Sequence, residues 1–231
     1  TLQYSSVTDP SNLIVKNVVF KQYSGTYGVI NSDVYKSQIN IYNCTFEDNH
    51  AQIGGAHYIA NNKTVLNIFD RTFTNNNAQE FGGAIASEYD VDVTIKRSKF
   101  INDKSSNDIG GAIYVINSKS FICEDSQFIN CAAAFGGAIA SLSSNVTLIN
   151  VTAKNNKAKY NGGAFYSMYG YITLKNSLFN NNSAINGGAI FVDGAEIFNI
   201  YSNKFTKNVA ENTAGGVYCL LSEIFYDTLF D

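Results

Sequence analysis

Seven Gly-Gly pairs punctuate the chain: Gly54-Gly55, Gly82-Gly83, Gly110-Gly111, Gly136-Gly137, Gly162-Gly163, Gly187-Gly188 and Gly215-Gly216. Successive pairs start 28, 28, 26, 26, 25 and 28 residues apart. A beat of that length restricts the fold to an array of similar units, each too small to bury a core alone, stacked as a solenoid.

A second mark keeps the same beat. Phe20, Phe46, Phe73, Phe100, Phe128, Phe179, Phe205 and Phe230 recur in step, with Ala153 in the one vacant slot. Three residues after these marks stand Asn49, Asn76, Asn156, Asn182 and Asn208, with Tyr23, Asp103 and Cys131 as departures. Two further on comes a small residue, such as Ala51, Ala78 or Ala158. The unit therefore reads Phe-x-x-Asn-x-Ala, a short spacer, then Gly-Gly-Ala.

Residue type indicates what fills each unit. Before each Phe lies an alternating, β-branched segment such as Val93-Thr94-Ile95-Lys96 or Ile172-Thr173-Leu174-Lys175, the pattern of a strand. Runs such as Ala112-Ile113-Tyr114-Val115 follow the glycines, and the Phe segment supplies a third short strand. Three strands and three turns fit one coil of a parallel β-helix, whose equivalent positions stack about 4.8 Å apart. The Phe column then fills the interior, the Asn column bonds amide to amide, and the glycines serve a tight corner. A helical solenoid would need apolar residues at 3.6 spacing, which ten Leu in 231 residues do not supply.

Phe-x-x-Asn followed by Gly-Gly-Ala-Ile resembles the repeat of polymorphic outer membrane proteins, and the resemblance covers nearly the whole chain. It implies an all-β, right-handed, single-stranded parallel β-helix of the kind found in surface-exposed adhesins and autotransporter passengers. At about eight coils the rod would be about 40 Å long.

Residues 1–231 read as one such domain, with 45% hydrophobic residues and one Pro. Both ends fall in mid-coil, the expectation for a segment of a longer repeat protein, and open coil ends could also stack head to tail into a filament. The net charge of -3 argues against nucleic acid, and no apolar run approaches the roughly 20 residues of a membrane-spanning helix.

An extracellular or cell-surface location follows from the resemblance, and five sequons supply candidate glycosylation sites: Asn43, Asn62, Asn145, Asn150 and Asn181. Asn62 and Asn145 fall in polar turns after the Gly-Gly-Ala strand, whereas Asn43 and Asn150 sit three before the Phe mark, where a hydrogen-bonded corner Asn is expected. Cys44, Cys123, Cys131 and Cys219 occupy four different repeat positions, which excludes a regular disulfide ladder. Cys123 reads as a buried thiol.

The rival reading is a polysaccharide-binding or polysaccharide-cleaving β-helix. Cleavage needs facing carboxylates or a base with cationic support. The best acidic group is Glu80, Glu88, Asp90 and Asp92; the two arginines, Arg71 and Arg97, lie in offset columns, and His50 and His57 flank the first glycine pair. None of these warrants a catalytic or metal-binding assignment, and no cofactor is expected. Tyr58, Tyr114, Tyr166 and Phe191, two after the Ala of Gly-Gly-Ala, would form a sugar-stacking stripe if outward and a packed layer otherwise. The functional expectation is an extracellular structural or adhesive module, its partner either further copies or coils of itself or carbohydrate.

Overall fold

The computed structural model describes the backbone of residues 2–4, 12–33, 36–60 and 63–230, with side-chain detail from 12 to 224. It is an all-β parallel solenoid of about eight turns, without a helix among the described residues. Each turn contributes to three parallel sheets of nine, sixteen and eight strands. Every strand pairs with its counterpart one coil away, as Leu66 with Ile39 and Val93, and Phe73 with Phe46 and Phe100.

The nine-stranded sheet begins at Leu2–Tyr4 and then collects the segments at and after the glycine corners, from Ile30–Ser32 to Val217–Leu220. The sixteen-stranded sheet holds two rows per coil, the alternating segment and the Phe segment, which merge into one strand at Ile197–Thr206. The third sheet is built from the Asn-x-Ala segment, such as Asn77–Ala78 and Lys157–Asn161. Three sides per coil is what the repeat predicts, but the Phe segment continues the side before it, and the third side is a stretch whose residue types do not announce a strand. Ladder bonding to the coils on either side imposes that conformation.

Corners are made by single residues in the left-handed region. One column of them runs Asn17, Asn43, Asp70, Arg97, Asp125, Asn150 and Asn176; a second runs Asp48, Asn75, Asn102, Asn130, Asn155 and Asn181; all have φ between 47 and 59°. Asn and Asp tolerate this region better than other non-glycine residues. The glycine pairs make the corner between the third and first sheets. The first glycine carries positive φ, as Gly82 at 60°; a Cβ on the second would lie 2.1 Å from a backbone carbonyl one coil on, as Gly83 against Gly111.

The last pair departs from this pattern. Ile190 pairs with Val217, so Gly215 takes the second-glycine slot, Gly216 the alanine slot, and Ala214 the left-handed position at φ 51°. The equal placement that spacing suggests for Gly215-Gly216 is thus shifted by one residue, because ladder pairing rather than residue identity sets the register.

The interior is one apolar column. Phe46, Phe73, Phe100, Phe128, Phe179 and Phe205 are buried, and Phe20 packs half-buried against them. Neighbouring rings from Phe20 to Phe128, and the pair Phe179 and Phe205, stack with centroids 4.6–5.0 Å apart and planes within 10°. That separation is the ladder spacing itself. His57 faces this column, its ring edge-on to Phe46 at 4.4 Å. Phe165 holds the same register position as His57, reached through Ile85, Ile113 and Ile139, and so lies opposite Ala153. The ring missing at 153 is supplied from the facing sheet.

Beside the Phe column runs a buried amide ladder. Where Asn follows Asn, the Oδ1 accepts from the backbone N–H and the Nδ2 of the preceding coil, as Asn182 does from Asn156 at 2.9 and 3.0 Å. Its Nδ2 reaches back to a carbonyl, as Asn182 to Ala153 O at 3.0 Å. Asn49, Asn76, Asn156 and Asn208 take part in the same way.

Candidate functional site: a lysine-flanked groove on the third sheet

The outer face of the third sheet is a shallow trough. Its floor is Ala133, Ala158 and Ala184, and its walls come from residues on either side of each alanine. One wall follows the ladder Lys104, Ala132, Lys157, Ser183, Val209. In one coil the sequence Ala132-Ala133-Ala134 reduces both walls to methyl groups, so the trough deepens into a notch. Cavities of about 380 and 240 Å³ meet there, sharing Ala132, Ala133 and Lys159.

Three cations border the notch: Lys104 on one side, Lys157 and Lys159 on the other. All three are exposed. The ion pairs of the described residues, Lys21–Glu47, Lys96–Glu124, Arg97–Asp70 and Lys119–Asp90, include none of them. Glu211 is the one carboxylate among the lining residues.

An aromatic ring completes the rim. Ala158 pairs with Ala133 and Asn161 with Phe135, which leaves Lys159 and Tyr160 opposite the single residue Ala134. This β-bulge turns Tyr160 outward, 38% exposed. Bulges commonly re-aim a side chain in this way. Phe135 packs against the Tyr160 ring at 5.1 Å, and Lys159 Nζ sits 4.8 Å from its centroid.

A family model described as the Chlamydia polymorphic membrane protein repeat matches residues 72–88 and 176–193. Each match runs through a Phe strand, its Asn, the third-sheet strand, the glycine corner and the following strand. These two stretches are similar to the polymorphic membrane protein repeat, and both lie in a parallel β-solenoid of that repeat type. Repeats of this kind imply a surface or outer-membrane β-helical protein. No curated protein and no solved structure matches the chain.

Mapped onto these repeats, the acidic residues are engaged by different partners. Glu88 accepts a hydrogen bond from Tyr58 Oη at 3.1 Å, Asp90 pairs with Lys119 at 2.8 Å, and Glu80 accepts from Gln52 Nε2 at 2.7 Å. Burial raises the pKa of Glu88 and of Asp92. Among the described residues no three His, Cys, Asp or Glu side chains converge as a metal site would require.

The arginines separate. Arg97 points outward and binds Asp70 with Nε and Nη2 at 2.7 and 3.0 Å. Arg71 turns into the interior, where Nη1 donates to Asp70 O while Nε and Nη2 have no protein partner, and burial lowers its pKa to about 10. His57 is buried with both nitrogens unpartnered; burial, and secondarily Arg71, lower its pKa to about 3, so it is neutral. His50 is exposed on the third sheet, away from His57.

Tyr114, Tyr166 and Phe191 are 5–9% exposed and lie with Ala86 and Ala140 in a second apolar layer outside the solenoid core, half-buried Tyr58 beside them. Where this column carries alanine, the residue before the glycines supplies a ring: Phe81 stacks on Tyr114 at 5.0 Å, and Phe135 packs on Tyr166 at 5.3 Å. Stacked face on face along the rod, as Tyr166 on Phe191 at 5.5 Å, these rings offer little face to a sugar. The four cysteines are free thiols; burial pushes Cys123 up to about 12.

The sequons differ sharply in their bonding. Nδ2 of Asn43, Asn150 and Asn181 donates along exposed ladders to Asn17, Asp125 and Asn155. Asn145 is exposed, accepts from Tyr171 N at 3.4 Å, and keeps Nδ2 unengaged among the described residues. Asn62 lies outside the described residues.

The notch is not legible in the sequence as a site. Ala132-Ala133-Ala134 and Lys157-Ala158-Lys159-Tyr160 are plain there, but only register brings them side by side.

Proposed function

We propose that the chain is an extracellular β-helical module that works by contact, holding a rigid rod at a surface and engaging a partner through the trough of the third sheet. The observation that carries this reading is the notch at Ala132–Ala134, where three lysines outside the ion pairs of the described residues and an outward-turned Tyr160 meet on a face otherwise built of small side chains. Continuous ladders support the trough from below, so its backbone needs no ordering on binding. The engagement of Glu80, Glu88 and Asp90 by Gln52, Tyr58 and Lys119 favours binding over hydrolysis, which requires two opposed carboxyl groups.

The test is adhesion of beads coated with the folded chain to glycan-bearing surfaces. Retention above that of beads coated with the heat-unfolded chain is expected, and equal retention would sink the proposal. New reducing ends or unsaturated products released from a polysaccharide panel would transfer the chain to the enzymes.

A further inference from the structure

We infer that the notch takes an anionic polysaccharide strand, carrying carboxylate or sulfate groups, laid along the rod axis; this names the ligand of the contact face proposed above. Lys104 and Lys157 stand two rungs apart on one wall, about 9.6 Å at the ladder spacing, comparable to the length of one disaccharide. Lys159 borders the same notch, and Glu211, its single carboxylate, lies toward the far end. The uncompensated charge therefore sits around Ala132 and Ala133.

The shape selects an extended ligand. A shallow floor over the buried Ala158 and Ala184, open along its length, offers no enclosing wall for a small molecule, but admits a chain crossing several coils. The exposed ring of Tyr160 sits at this rim because the bulge puts it there, and an aromatic face beside cations suits a sugar that presents C–H groups on one side and an acidic group on another. Lysine acts as a compact point charge without a fixed fork, so spacing along the strand, rather than one acid's geometry, sets the fit. A nucleic acid strand fits less well: it needs successive stacking platforms, and this rim has one exposed ring on a chain of net charge -3.

Titration of the full chain with heparin and polygalacturonate fragments, at low and moderate salt, tests this, with dextran, duplex DNA and polyphosphate alongside. Both acidic polysaccharides should bind, more weakly as salt rises, and dextran should not. Lys104→Gln, Lys157→Gln and Lys159→Gln combined should weaken binding about tenfold. Tyr160→Ala should weaken binding of the sugars and leave any polyphosphate binding unchanged. These exposed positions leave the core intact, which circular dichroism verifies. Unchanged affinity in the triple variant, dextran binding equal to heparin, or preference for DNA would each overturn the inference. If coated beads adhere equally well with the triple variant, the ligand assignment fails while the adhesive reading stands. Lysine-dependent binding of fragments without bead adhesion would uphold the ligand assignment and sink the adhesive reading.

Discussion

Replacing Asp103 with asparagine should stabilise the protein, increasingly so as pH rises. Asp103 interrupts the buried amide ladder. Its Oδ1 accepts from Asn76 N at 2.8 Å and Asn76 Nδ2 at 2.9 Å, while Oδ2 is buried without a partner. Elsewhere in the column the second polar atom donates one coil back: Asn76 Nδ2 to Phe46 O at 3.0 Å, Asn156 Nδ2 to Phe128 O at 3.1 Å. Register therefore turns Oδ2 toward the carbonyl of Phe73, an acceptor facing an acceptor. Only the protonated acid fits, and burial raises its pKa from 3.8 to about 8.

The sign follows from proton counting. Between those values the folded chain holds the proton and the unfolded chain has lost it, so the stabilisation present below about pH 4 is lost as pH climbs toward 8. The slope is about 1.4 kcal/mol per pH unit, and the loss totals on the order of 5 kcal/mol before levelling off. In the Asp103→Asn variant the amide would supply an N–H at the same place and titrate nowhere. Urea unfolding of both proteins between about pH 5 and about pH 9 reads the difference, with the gap favouring the variant and widening toward pH 8. A gap independent of pH across that window, or a variant less stable at its upper end, would refute the protonated-acid argument.

Other consequences of the packing can be checked directly. Phe100→Ala removes a ring held between Phe73 and Phe128 and should cost roughly 3–5 kcal/mol by urea unfolding, whereas a loss under about 1 would contradict a stacked interior. Ala153→Phe should overfill the coil that already holds Phe165, costing about 1–3 kcal/mol, and Phe165→Ile in the same chain should recover most of it, which a double-mutant cycle measures. Gly83→Ala drives a Cβ to within 2.1 Å of Gly111 O and should reduce soluble folded yield far more than Ser106→Ala, a change on the exposed trough wall. Expression through a glycosylating secretory pathway should modify Asn145 ahead of Asn43, Asn150 and Asn181, whose Nδ2 groups are committed to neighbours; peptide mass mapping with glycan on the latter three alone would contradict that ranking.

The repeat itself was legible because a parallel stack forces equivalent positions into contact. A Phe every 26 or so residues has to meet the Phe above it, and an amide in that register has to bond to its neighbour. The fold class, the Phe interior and the Asn ladder positions thus follow from spacing and residue type. Fold-level resemblance added the surface location, since nothing in the spacing speaks to where a rod is displayed.

Other features depended on three-dimensional register. The third sheet is made of segments such as Lys104–Ser105, which carry no intrinsic strand signal and are held extended only by pairing on both sides. The corner columns through Asn75 and Asn102 could have been sought as an Asn or Asp before each ladder position, yet Asn abundance masked them. Ala214 takes the left-handed corner although two glycines follow it, because Val217 must pair with Ile190. Likewise Tyr160 faces outward only because its strand carries one residue more than the strand beside it, and Lys104 meets Lys157 across a notch only because an all-alanine coil lies between. The sequence by itself determined that the chain coils and which side chains line its interior, since those follow from period and polarity. Which exterior residues share a surface was decided by tertiary structure alone, because outward side chains carry no periodic constraint and acquire neighbours only when the coils stack.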